Sequence, residues 1–247
     1  MAERNKYGLG RTIPSEIKRE VRKRCGFGCV ICGISIFDYE HFNPAFKDAK
    51  NHDPIGITLL CPQCNQKKAR GMLSVETVTN ANAAPKSLQQ GFSNETFDFG
   101  VEPIEIIFAG VSFKNCQHLI VVGKIPILSV STPEEKHAPY RLSGRFCDDA
   151  GAATLKIEDN VWSVGADNWD VECTGAKITI RKGLGDIVLT LKSIPPKKLV
   201  VERINMQFEG RFFRGGGDLL EISRDGKNWN SFKACSMENG HIGILIS

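Results

Sequence analysis

The sequence contains no run of about 18 apolar residues, the length a helix needs to cross a membrane, so no membrane association is expected. It also begins without an apolar leader. MAERNKYGLGRTIPSEIKREVRKR is polar and basic, unlike a secretory signal, and a cytoplasmic protein is expected. Beyond residue 96 no stretch carries the 3.6-residue apolar period of an amphipathic helix, which leaves strands as the elements of that region. Net charge is only +4 over 247 residues, too little by itself to mark a polyanion binder.

The distribution of that charge says more than its sum. Residues 1–90 hold 14 Lys/Arg against 8 Asp/Glu, while residues 91–247 hold 18 against 20. The basic third also holds two closely paired sets of cysteines, Cys29 with Cys32 and Cys61 with Cys64. In a reducing compartment, paired cysteines point to metal binding rather than to disulfides. Two C-x2-C knuckles 28 residues apart present four thiolates, the tetrahedral soft set that structural Zn²⁺ prefers. The other five cysteines, Cys25, Cys116, Cys147, Cys173 and Cys235, read as ordinary core or surface residues.

Around the knuckles, Pro14 opens a helix over SEIKREVRKR, with Ile17 and Val21 as its apolar edge. Its basic face, including Arg22 and Lys23, reads equally as a solvated surface or as phosphate contacts. FGCVICGISIFDYEHFNP reads as a knuckle and short hairpin, and CPQCNQKKARGML as a knuckle running into a helix. SVETVTNANAA reads as one more helix, and APKSLQQGFSNET, poor in apolar residues, as the linker. The runs IEIIF, HLIVV, IPILSV, ATLKI, KITI, DIVLTL, LVVERI, LLEI and HIGILI then alternate with turn signals. They predict an all-β sandwich, β-roll or solenoid over 96–247. The whole is an α+β chain with a zinc domain over 1–90. Within the β region, residues 143–162 echo residues 209–229: GRF, a Gly-rich turn, an apolar strand, a polar turn and Trp.

The segments Tyr39-Glu40-His41-Phe42-Asn43-Pro44 and Gly56-Ile57-Thr58-Leu59-Leu60-Cys61-Pro62-Gln63-Cys64-Asn65, with Lys68 three residues on, resemble the HNH endonuclease family in its zinc-stabilised treble-clef, ββα-metal form. The resemblance covers about residues 13–75. It implies a DNA endonuclease in which His41 is the general base on a water, while Glu40 and Asn65 hold a catalytic Mg²⁺ or Mn²⁺. Lys67, Lys68 and Arg70 would meet DNA phosphates. Two positions depart from the family pattern: its middle Asn falls on Gly56, and its last His is Asn65. The loop residues Asn51, His52 and Asp53 are candidates for the missing polar group. The HNH association implies restriction or anti-phage defence, with residues 96–247 serving specificity, sensing or assembly, through a partner protein or a homo-oligomer. The competing expectations are a catalytically silent treble clef that binds nucleic acid or a partner, and a chain whose β region is the functional part.

Overall fold

The computed structural model describes residues 4–247; residues 1–12 read from the sequence as a loose start, and the first three of them lie outside the described residues. Helices are few and precede Gly91, whereas strands fill the rest, giving an α+β chain with a β-rich region. The chain divides into two compact units. One runs to Glu95 and also takes in Val164–Val171; the other comprises Thr96–Ser163 and Glu172–Ser247.

In the first unit, helix α1 (Ser15–Arg24) starts directly after Pro14 and buries Val21 completely. Strand β1 (Asp38–His41) pairs antiparallel with β2 (Ile57–Leu60), in a register that sets His41 opposite Ile57 and Asp38 opposite Leu60. Helix α2 (Pro62–Ala69) follows at once, with Pro62 at its first turn. The side chain of Ser74 caps α3 (Val75–Ala83), its Oγ accepting from the Thr77 N–H at 3.0 Å. The apolar core gathers Val21, Val30, Ile57, Leu59 and Leu60, and Cys29, Cys61 and Cys64 are embedded in it.

The expected linker is structured instead. It contains helix α4 (Lys86–Gln90) and strand Phe92–Thr96, with Ser87 and Ser93 fully buried. Small residues explain this. A Cβ on Gly28 would meet the Ser87 Oγ at 2.4 Å, so the backbones approach without large apolar side chains. Ser35 Oγ donates to Ser93 Oγ at 2.9 Å, and the Ser35 N–H to the Asn94 carbonyl at 3.0 Å. Low apolar content therefore marked close packing rather than flexibility.

In the second unit, one sheet runs as an antiparallel meander through Lys177–Gly183, Asp186–Ile194, Lys198–Phe208, Arg211–Gly216, Leu219–Ser223 and Trp229–Lys233. The long strand Lys198–Phe208 alternates inward Leu199 and Val201 with outward residues. It then slips by one at Glu202, where the register to Asp186–Ile194 shifts, and resumes with Ile204, Met206 and Phe208. Glu105–Phe108 joins that strand in parallel. The other sheet contains, in order, Ile242–Ile246, His118–Val122, Leu128–Ser131, Arg141–Cys147 and Ala153–Glu158. Phe108 of the first sheet stacks on Phe146 of the other, with centroids 6.2 Å apart. The two echoed segments supply equivalent runs of consecutive strands, one in each sheet, which accounts for their likeness.

Candidate metal centre and histidine pair

The two knuckles converge. The Sγ atoms of Cys29, Cys32, Cys61 and Cys64 all lie within 4.8 Å of one another, and those of Cys32 and Cys61 are 3.6 Å apart. Each knuckle is closed by backbone. The Gly33 N–H reaches the Cys29 carbonyl at 2.8 Å, with Gly33 at φ +83°, where a side chain would be strained. The Cys64 N–H donates to Cys61 Sγ at 3.4 Å. Crowding splits the titration of the sulfurs. The hydrogen bond with Cys32 holds Cys29 down at about 5, the same pairing pushes Cys32 up, and burial pushes Cys64 up to about 12. Four thiols this close cannot all keep bare charges, and a cation at their centre removes the conflict. The four cysteines could therefore hold a metal ion. Among the described residues they form the one group of three or more His, Cys, Asp or Glu side chains so placed.

Adjacent residues of a strand leave on opposite faces, and Glu40 and His41 accordingly go to different partners. Lys68 on α2 donates to Glu40 Oε1 at 2.6 Å. His41, only 7% exposed, packs edge-on against Phe46 and brings its Nε2 to 3.0 Å from His52 Nδ1. Burial lowers the His41 pKa, with His52 and Arg11 adding to the shift and the neighbouring Glu40 opposing it, so the neutral ring is favoured. The sequence named His52 only as one of three loop candidates; the fold brings it to the His41 ring. Gly56 shows why no Asn stands at that position. A Cβ there would meet the Asn43 carbonyl at 2.4 Å, and the Gly56 carbonyl itself accepts from the Phe42 N–H at 3.0 Å. Asn65 follows Cys64 on α2, its N–H bonded to the Cys61 carbonyl. It lies three residues before Lys68 and shares that helix face.

The basic residues separate into two sets. Arg22 is not a surface cation: it is 4% exposed, bonds Asp170 through both Nε and Nη2 at 2.9 and 2.8 Å, and donates to the Tyr39 hydroxyl at 2.7 Å. Lys23 caps the carbonyls of Ala166, Asp167 and Asn168, and the Arg19 guanidinium lies 4.4 Å from the Trp169 ring centre. The basic face of α1, expected as solvated surface or phosphate contacts, thus grips the segment 164–171. The reason is long-range: sequence neighbours of α1 give no hint that Asp170 returns to it. Lys67 and Arg70 on and after α2 stay exposed, whereas Lys68 is tied to Glu40. No protein-family model, curated protein or solved structure matches this chain.

Proposed function

We propose that the first unit is a metal-dependent DNA endonuclease of HNH type, in treble-clef form, with structural Zn²⁺ on Cys29, Cys32, Cys61 and Cys64. The observation that carries this reading is His41: buried, neutral, and oriented through Nε2 by His52. With Nε2–H donating to His52, the Nδ1 lone pair is free to take a proton from water. Glu40 and Asn65 offer oxygen donors of the kind Mg²⁺ or Mn²⁺ takes. Lys68, three residues after Asn65 on α2, bonds Glu40, which supports placing the two donors on one side of the unit. A divalent ion bound there supplies charge neutralisation at the scissile phosphate. Lys67 and Arg70 remain available to phosphates, and the β-rich unit, read as a sandwich, serves specificity, sensing or assembly in a restriction or defence setting.

A second reading, a silent zinc module that binds nucleic acid or a partner, is favoured by the Lys68–Glu40 ion pair, which neutralises the metal-site acid. A plasmid-nicking assay with Mg²⁺ or Mn²⁺ separates the two. The chain is expected to nick, and His41→Ala to lose about 10²- to 10⁴-fold. Nicking by Asn65→His alone marks this chain as an inactive relative of active enzymes. No nicking by either chain sinks the nuclease reading.

A further inference from the structure

The second unit contains a cleft of about 440 Å³ that the cleavage reading does not use. It is built where the turn after Val111–Lys114, the end of Leu128–Ser131 and the turn into Ile242–Ile246 meet. Ile104 and Val130, both buried, give it an apolar floor. Its rim is polar. Asn115 and Asn239 both adopt the left-handed backbone, at φ +50° and +57°, a conformation that Asn tolerates better than most residues. Their carboxamides meet, Asn115 Nδ2 donating to Asn239 Oδ1 at 2.9 Å. That bond leaves the Asn115 carbonyl and the Asn239 amine free. Gln117 and the hydroxyls of Ser131, Thr132 and Tyr140 also line the cleft, and their side chains are not engaged elsewhere in the described protein.

The lining defines the ligand by what it lacks as well as by what it offers. No Lys, Arg, Asp or Glu lines the cleft and His241 is its one basic side chain, so a phosphate or carboxylate finds no permanent counter-charge. Gln117 sets a donor beside an acceptor, and the paired Asn115 and Asn239 together offer a carbonyl and an amide N–H, the pattern that reads the edge of a planar heterocycle. Tyr140, half-buried, adds an aromatic side chain to the lining, the residue type on which bases stack. The volume lies in the range of small-ligand sites. We propose that this cleft binds an uncharged nucleobase, presented as a nucleoside.

Titration of the full chain with adenosine, guanosine, cytidine and thymidine, by calorimetry or ligand-observed NMR, tests this. At least one nucleoside is expected to bind saturably at millimolar concentration or tighter. Gln117→Ala and Asn239→Gly are each expected to weaken that binding about tenfold or more; glycine keeps the backbone conformation of position 239, so folding is retained. No saturable binding by any of the four, binding that survives both variants, or tighter binding of maltose than of any nucleoside overturns the proposal. The titration needs no divalent metal and reads no cleavage, so its outcome is independent of the nuclease assay.

Discussion

The two units are held together by different means. The first has a small apolar core in which three of the buried members are metal-site cysteines, and its helix α1 is fastened by one buried ion pair, Arg22 with Asp170. The second buries whole aromatic side chains between and along its sheets, among them Phe108, Phe113, Phe146, Phe208 and Phe213. Stability in the first is concentrated in a few strong, discrete interactions; in the second it is spread over many weak ones. The difference teaches where single changes act. One atom lost from the cysteine cluster has no neighbour to compensate for it, whereas a strand contact has many.

The largest effect is therefore expected at the knuckles. With Zn²⁺ bound as proposed, Cys61→Ser or chelation is expected to unfold the first unit, a loss on the order of 10 kcal/mol for removal of the ion. The second unit is expected to keep its sheets. Hydrogen exchange resolved along the chain checks both halves, and equal loss of protection in both units would break the comparison. Next comes Asp170→Ala, which leaves the Arg22 guanidinium buried without its carboxylate and is expected to destabilise by about 3–5 kcal/mol in chemical denaturation. The paired change Arg22→Met with Asp170→Leu removes both charges and is expected to restore most of that loss. Should the double variant be as unstable as the single one, the pair does more than satisfy itself.

The smallest effect belongs to the second unit. Lys198, hydrogen-bonded to Glu105 at 2.8 Å, holds that carboxyl below the usual carboxylate range, with Ser112 adding to the shift. A carboxyl depressed by folding contributes stability that is present above its unfolded pKa and lost as pH falls through the folded value. Urea unfolding followed from neutral pH into acid is expected to show this small loss in the native chain. Glu105→Gln is expected to flatten it, because the variant already lacks near neutrality the contribution that the native chain loses only in acid. A steeper acid dependence in Glu105→Gln would reverse the assignment.

Much of this arrangement was legible in the sequence, for reasons that differ by residue. The knuckles were legible because the C-x2-C spacing encodes a local turn, and the sheet strands because short apolar runs bounded by turn residues are local as well. Helix α3 was read in the segment SVETVTNANAA, which the structure caps with Ser74. The segment 84–96 was not legible. Its order comes from Gly28, Ser87 and Ser93 fitting together across 60 residues, and small residues leave no hydrophobic signature. Arg22 was misread for the same reason: a basic helix face looks the same whether it meets solvent, phosphate or a distant Asp170. At the histidine pair, EHFNP singled out His41, yet nothing in the loop distinguished His52 from its neighbours Asn51 and Asp53. The choice among them is made by how the chain closes between β1 and β2.

The return of residues 164–171 to helix α1 has a practical meaning for anyone who dissects the molecule. A fragment ending near residue 95 would be missing Asp170, Trp169 and the carbonyls that Lys23 caps, although it would retain every cysteine of the cluster. Such a fragment can load metal and still lose the contacts that Arg19, Arg22 and Lys23 make from α1, which is then held by Val21 and Arg24. Cut-and-paste exchange of the first unit between proteins must therefore carry a piece of chain encoded more than 60 residues downstream, and the unit is modular in space but not in its gene.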